Sequence, residues 1–333
     1  MSMTIYDIAK LAGVSASTVS RAMNGKPGVS EEKRQQINEI LRQQNYAPDE
    51  NARNLVTQTT HTIGILTDNI GSKRQDQGKA TIESELMRNG YYCFATYVGS
   101  GPDAIVKGAA ELARRRVEGA LLLGASFRNC AALEEAISMY LPDVPVVLVH
   151  QTERIHRRNV YCIGASEQKG FFRCVNKMHA RGRKNVALLI DAHRVSEELI
   201  RTSFEAAVKE CAGMNGWVYT NVEPSFTGGG REVARILAEH PNLDGLVCAQ
   251  DAIAIGAMYA LEDRGIRVPE DVSIIGEDNS DLCEACRPRL SSLDTMLGVS
   301  TFMSARLLLD VLNGREQTHK ITLEMEIVER ETT

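Results

Sequence analysis

The chain has 333 residues, 43% of them apolar and 24% charged, an ordinary globular composition with room for two or three domains. No apolar run approaches the roughly 18 residues that a membrane helix needs, and the opening MSMTIYDIAK lacks the basic start and apolar stretch of a secretory signal. The formal net charge of −5 does not by itself point to nucleic acid, and the eight cysteines are scattered, mostly in or beside apolar runs, as free thiols are in a reducing cytoplasm. A cytoplasmic protein without a membrane partner is expected.

In chain order, TIYDIAKLA predicts a helix with Thr4 as N-cap, Asp7 in its first turn and Ile5, Ile8, Ala9 and Ala12 on one face. Gly13 ends it. Ser15 starts a second helix running to about Met23, with Val14, Val19 and Met23 on its buried side. NGKPG is a loop, and Ser30 caps a third helix with Ile37, Ile40 and Leu41 inward. A helix, a tight glycine turn and a second short helix make the helix-turn-helix arrangement, whose second helix enters the DNA major groove. That placement explains a helix rich in serine and threonine, which are mediocre helix formers. Small hydroxyls permit close approach and bond phosphates or bases, and Arg21 can offer two donors to guanine. Charge agrees weakly: residues 1–60 carry seven Lys/Arg against six Asp/Glu, and the remainder carries 31 against 37.

The string TIYDIAKLAGVSASTVSRAMNGKPGVSEEKRQQI closely resembles the DNA-binding headpiece of the lac repressor/galactose repressor family, and NYAPDENARNL resembles that family's linker and hinge helix. The resemblance implies that Ala16, Ser17 and Arg21 read bases and that Tyr6, Thr18, Ser20, Asn24 and Ser30 touch phosphates. It also implies that Leu55, with Ala52 and Arg53 beside it, wedges into a central minor-groove step.

From His61 onward six short apolar runs recur, TIGILTD, GALLLGA, VPVVLVH, NVALLID, GLVCAQD and VSIIGED, with helix-like stretches between them. Buried runs alternating with helices predict parallel sheets in a doubly wound α/β architecture, here divided into two lobes. The resemblance agrees, since the family's core is periplasmic-binding-protein-like. The expected organisation is a headpiece over 1–47, a hinge helix and linker over 48–60, and a core over 61–333. Within the core, one lobe would take about 61–159 and 295–315, and the other about 160–290 and 320–330.

Ligands of open parallel sheets bind beyond the carboxyl ends of the strands. There the candidate effector-binding residues are Arg74, Phe127, Asp191, Arg201, Phe226, Gln250 and Asp278. The roles of Arg201 as effector-binding arginine, Phe226 as stacking aromatic and Asp278 as hydroxyl acceptor are those the resemblance implies. Departures from the family pattern, among them Lys73 and Arg74 after the first strand, unsettle the usual sugar specificity. An anionic effector held by Arg74 and Arg201 is one expectation; a solvated loop at Lys73 and Arg74 is the other.

Enzyme signatures are weak. The stretch from Gly99 to Ala104 formally fits a dinucleotide pattern but lacks the acidic residue about 20 positions on that would hold a ribose. Cys283 and Cys286 lack a second ligand pair for zinc. No catalytic residue, cofactor or metal is expected. The function expected is a sequence-specific transcriptional repressor: a homodimer on a palindromic operator, controlled by a sugar or sugar derivative between its lobes. The alternative is a ligand-binding or catalytic α/β protein whose N-terminal helices dock a protein partner.

Overall fold

The computed structural model describes residues 3–23, 25–44, 46, 60–70, 73–128, 130–192 and 194–333. The chain divides into two compact units, Met1–Thr60 and His61–Thr333. Asn24 and the hinge residues Ala52, Arg53 and Leu55 lie outside the described residues, as does the expected hinge helix over 48–60 apart from Thr60.

The first unit holds α1 (Ile5–Ala12), α2 (Ala16–Met23) and α3 (Glu31–Gln43). Thr4 and Asp7 form a reciprocal capping box on α1, and Gly13 takes a left-handed conformation at φ 64° to stop it. Ile8, Ala9, Ala12, Val19, Ala22 and Ile37 form the buried core, with Val14, Met23, Ile40 and Leu41 packed partly against it. Arg34 of α3 donates to the carbonyls of Ala22 and Lys26 at 2.8 and 3.0 Å, which satisfies the carboxyl end of α2 from outside the helix.

The second unit is built on two six-stranded sheets among the described residues. β1 (Thr62–Thr67), β2 (Tyr92–Tyr97), β3 (Gly119–Leu123), β4 (Val146–Val149) and β5 (Val160–Ala165) join β11 (Lys320–Leu323) in the order β11-β5-β4-β3-β1-β2. Every pairing in this sheet is parallel. β6 (Asn185–Asp191), β7 (Asn215–Val222), β8 (Gly245–Cys248), β9 (Ser273–Glu277) and β10 (Ser291–Asp294) join β12 (Glu326–Val328) in the order β12-β10-β9-β8-β6-β7. Only β12 runs antiparallel to its neighbour. All six apolar runs are strands, and β3, β4, β8 and β9 are buried along their whole length, the mark of parallel strands covered on both faces.

The helices are α4 (Lys73–Arg88), α5 (Pro102–Arg114), α6 (Ala131–Tyr140), α7 (Glu167–Ala180), α8 (Glu197–Glu210), α9 (Phe226–Glu239), α10 (Asp251–Glu262), α11 (Leu282–Ala285) and α12 (Leu297–Leu312). Pro102 and Asp103 open α5, the first-turn chemistry expected of them.

Two lobe boundaries differ from expectation. Residues 160–165 belong to the first lobe, because β5 pairs along β4. The C-terminal segment is shared: β11 extends the first sheet and β12 the second. Helix α12 packs its Leu307, Leu308 and Leu309 into the first lobe, as expected for 295–315. Among the described residues the chain therefore crosses between lobes three times, after Ala165, after Asp294 and after Leu323.

Helices α9 and α10 approach closely at glycines. A Cβ on Gly256 would stand 1.9 Å from the carbonyl oxygen of Phe226, so a side chain there has to push the helices apart. Gly256→Ala is expected to lower stability by about 1–3 kcal/mol, read as a lower urea midpoint at unchanged slope.

Candidate functional site

The outward side of α2 follows from its inward side. Val19 and Ala22 are fully buried, which turns Ser17 and Arg21 to solvent, while Ala16 lies partly against the core. The Ser15 hydroxyl accepts from the Thr18 amide at 3.2 Å and lies 2.8 Å from Ser17 Oγ and 2.9 Å from Thr18 Oγ1. Three hydroxyls are thus tied into one cluster at the amino end of the helix, where the macrodipole favours an anion. Tyr6 is 72% exposed, and Ser30 caps α3 through Lys33 N while keeping its own hydroxyl hydrogen for an outside acceptor. Ser20 is half-buried on the same short helix.

In the second unit the carboxyl ends of the strands face a cleft between the lobes. Helix α4 begins at Lys73, so Arg74 lies on its first turn rather than in a loop. Its Nη1 donates to Asp278 Oδ1 at 2.5 Å, an ion pair that joins the lobes, and Nη2 lies 2.6 Å from His150 Nε2. An arginine can only donate, so Nε2 of His150 accepts and Nδ1 carries the hydrogen. Nδ1 then donates to Ser300 Oγ at 3.3 Å, and Ser300 passes its hydroxyl to the carbonyl of Leu297 at 3.0 Å. Burial, with Arg74, Arg128 and Arg194 nearby, holds the His150 pKa well below its ordinary value and keeps the ring neutral. His150 and Asp278 adopt φ of 58° and 106°, backbone settings that residues with side chains seldom take and that cluster at ligand sites.

Arg194 is the centre of the second lobe's share. Its Nη1 donates to Asp191 Oδ1 and the carbonyl of Ala249 at 3.1 and 2.8 Å. Its Nη2 donates to Glu167 Oε1 and Glu277 Oε1 at 3.2 and 2.8 Å, and Nε reaches Ser196 Oγ at 3.3 Å. Nη2 also lies 2.7 Å from Glu277 Oε2, but without hydrogen-bond alignment, so that buried oxygen lacks an aligned donor among the described residues. Burial opposes the charges of both Arg194 and Glu167, yet the surrounding opposite charges outweigh it, raising the first pKa and lowering the second. Asp191 is raised by burial against the pull of Arg194. Burial pushes Glu277 up furthest, to about 8.

Two cavities occupy the cleft. One of about 250 Å³ is lined by Arg74, Arg128, His150, Glu167, Asp191 and Arg194 among others, and a second of about 440 Å³ by Lys73, Asp278, Asp281 and Thr301 among others. Both share Arg74, Gln250 and Leu297. Gln250 donates to Asp191 Oδ2 at 3.2 Å. Asp251 plays a structural part, accepting from the Ser280 amide and the hydroxyls of Ser280 and Ser292 at 2.6–2.8 Å. Among the described residues no cluster of three His, Cys, Asp or Glu is placed to hold a metal.

Of the sequence-derived effector residues, Arg74, Asp191, Gln250 and Asp278 meet in the cleft. Three do not. Arg201 faces away on α8, held by Glu198 at 2.5 Å and Glu205 at 3.0 Å one turn to either side, and lines neither cavity. Phe127 ends a 3-10 turn that folds it wholly into the first lobe's core, which leaves the next residue, Arg128, to line the cavity. Phe226 opens α9 against α10, is 49% exposed and lines neither cavity. The arginines missed in the sequence are Arg128 and Arg194; for Arg194 a signal was present. The signal was an arginine three residues after a strand-terminal Asp191, the spacing of a reach back to the strand end.

Residues 4–49 match the model of the bacterial regulatory proteins of the lacI family, and residues 175–333 match a periplasmic binding protein-like domain. An HTH-type transcriptional regulator of Lachnoclostridium phytofermentans is 29% identical over 333 residues, covering 99% of both chains. The HTH-type transcriptional regulator GalR of Escherichia coli is 27% identical, over 94% of this chain and 90% of its own. The crystal structure of a lac repressor dimer bound to operator and an anti-inducer superposes with a TM-score of 0.88 at 24% identity, over 100% of this chain and 99% of that one. Among the described residues no helix is long and apolar enough to cross a membrane.

The raised pKa of Glu277 carries a sign. Its folded value lies above its unfolded one, so it stabilises the fold at low pH and loses that contribution as pH rises from about 4.5 through about 8. Glu277→Gln has no proton to lose. Its stability relative to wild type is expected to rise between pH 5 and pH 8 in urea unfolding, and a constant difference would show Glu277 ionised throughout.

Proposed function

Because the chain belongs to the lacI family of bacterial regulatory proteins, we propose that it is a sequence-specific transcriptional repressor whose grip on its operator is set by a small polyhydroxylated effector in the interlobe cleft. The observation that carries this reading is the outward face of α2. A helix anchored by Val19 and Ala22 presents Ser17, Arg21 and a tied hydroxyl cluster on one side. In the major groove, Ala16, Ser17 and Arg21 meet base edges, and Arg21 suits the paired acceptors of guanine. Tyr6, Thr18, Ser20, Asn24 and Ser30 meet phosphates, which set register rather than sequence. Ala52, Arg53 and Leu55 take the minor groove at the operator's centre.

Two copies related by a two-fold axis read the two halves of a palindrome. In the cleft, Asp191, Gln250 and Asp278 supply acceptors and an amide for ligand hydroxyls, and the cavities are of the order of small-molecule sites, about 300–1,000 Å³. Arg74 ties one lobe to the other, so a ligand that binds the two lobe arrangements with different affinity shifts the balance between them, and with it the hold on DNA.

Selection from a random double-stranded DNA pool by the purified protein tests the reading, with a palindrome of about two half-sites one helical turn apart as the expected outcome. Enrichment without symmetry would remove the dimeric operator. Arg21→Ala is expected to relax base preference at one position in each half-site, at a cost of about 1–3 kcal/mol.

A further inference from the structure

The three arginines lining the inner cavity are not equally engaged. Arg194 spends all five N–H donors on protein acceptors. Arg74 is held by Asp278 and His150. Among the described residues Arg128 has one ion-pair contact, of 3.5 Å with Glu167 Oε2, and Glu167 divides itself between Arg128 and Arg194. The Arg128 Nε is buried and has no hydrogen-bond partner among the described residues. A guanidinium edge that is desolvated without an acceptor is costly, and an oxyanion restores both the charge and the bonds. The fork of Nε and one Nη fits the two oxygens of a carboxylate, and equally two oxygens of a phosphate. The neutral His150 adds no competing cation.

We propose that the effector carries an oxyanion group, a carboxylate or a phosphate, and that Arg128 is its anchor in the inner cavity; this rests on the effector-gated reading above. The hydroxyl-bearing part of the ligand then lies toward Asp191 and Gln250, whose side chains line the same cavity. Arg128 belongs to the first lobe and its present partner Glu167 opens α7 of the second, so the ligand exchanges a contact between lobes for one to itself. Arg201, the arginine first assigned this part, has no share in it.

The test uses the full chain and calorimetric titration with matched trios, each a hexose, its uronic acid and its 6-phosphate. The acid or the phosphate is expected to bind about tenfold or more tightly than the neutral parent, the range of a charge-assisted hydrogen bond, and the tighter of the two identifies the oxyanion. Arg128→Gln and Arg128→Lys, each checked for cooperative unfolding, should bring the charged member back toward its parent, while Arg201→Gln keeps the wild-type preference. A neutral hexose that binds as tightly as its charged partners overturns the inference and leaves effector control standing. Full preference retained in both Arg128 variants overturns the anchor. A protein that selects its palindrome yet binds no member of any trio loses the effector-gated reading, and this inference with it.

Discussion

One buried guanidinium organises the second lobe. Asp191 ends β6, Ala249 follows β8 and Glu277 ends β9, and these three strands are neighbours in the sheet. Arg194 bonds to all three ends and to Glu167 at the start of α7. Taking such ions out of water costs several kcal/mol each, and the arrangement holds because every donor of the arginine finds an acceptor. Removing one partner of a buried pair typically costs 3–5 kcal/mol, because the other is left stranded. The rim of the cleft is therefore stiff where Arg194 sits. Across from it, Arg128 has a donor to spare for a newcomer.

The two units solve opposite problems. The core unit buries long apolar strands under helices on both faces and can hold polar groups at strand ends in fixed positions. Among its described residues the headpiece has six buried core residues, and small folds bury a smaller fraction of their surface than large ones. It makes up the difference with local chemistry: a capping box on α1, a left-handed glycine after it, and Arg34 closing α2 from the neighbouring helix. The same economy of core leaves most of α2 outside, where hydroxyls and Arg21 face solvent.

How legible this was depends on how local the determining physics is. Periodicity and caps are local, and the three headpiece helices and the six central strands could be read from them. The edge strands β7 and β12, and β10 beside β12, are short or mixed in burial and gave no apolar run to find. Side-chain direction at strand ends is not local. Phe127 closes the 3-10 turn Ala125–Phe127 that follows β3, which rotates it into the core and turns Arg128 to the cavity. Arg201 has a helix face that points away, and its own acidic neighbours hold it there. Arg74, Asp191, Gln250 and Asp278 were legible because each stands at a strand end or a helix start, where geometry leaves little choice of direction.

The three crossings between lobes also set a schedule for synthesis. Cys162 of β5 pairs with Lys320 of β11, and α12 packs on the same sheet. The ribosome must therefore add about 160 residues, roughly 10–30 s at ordinary elongation rates, between making β5 and supplying its outer neighbour. Through that interval the first lobe stands with an open parallel edge and an uncovered apolar face, the kind of surface that recruits foreign strands. The second lobe's five consecutive strands emerge meanwhile and can close upon themselves except for β12. The half made first thus waits for β11 to be finished, only just before β12 finishes the half made second, and its open edge stands unpaired for the longer of the two intervals.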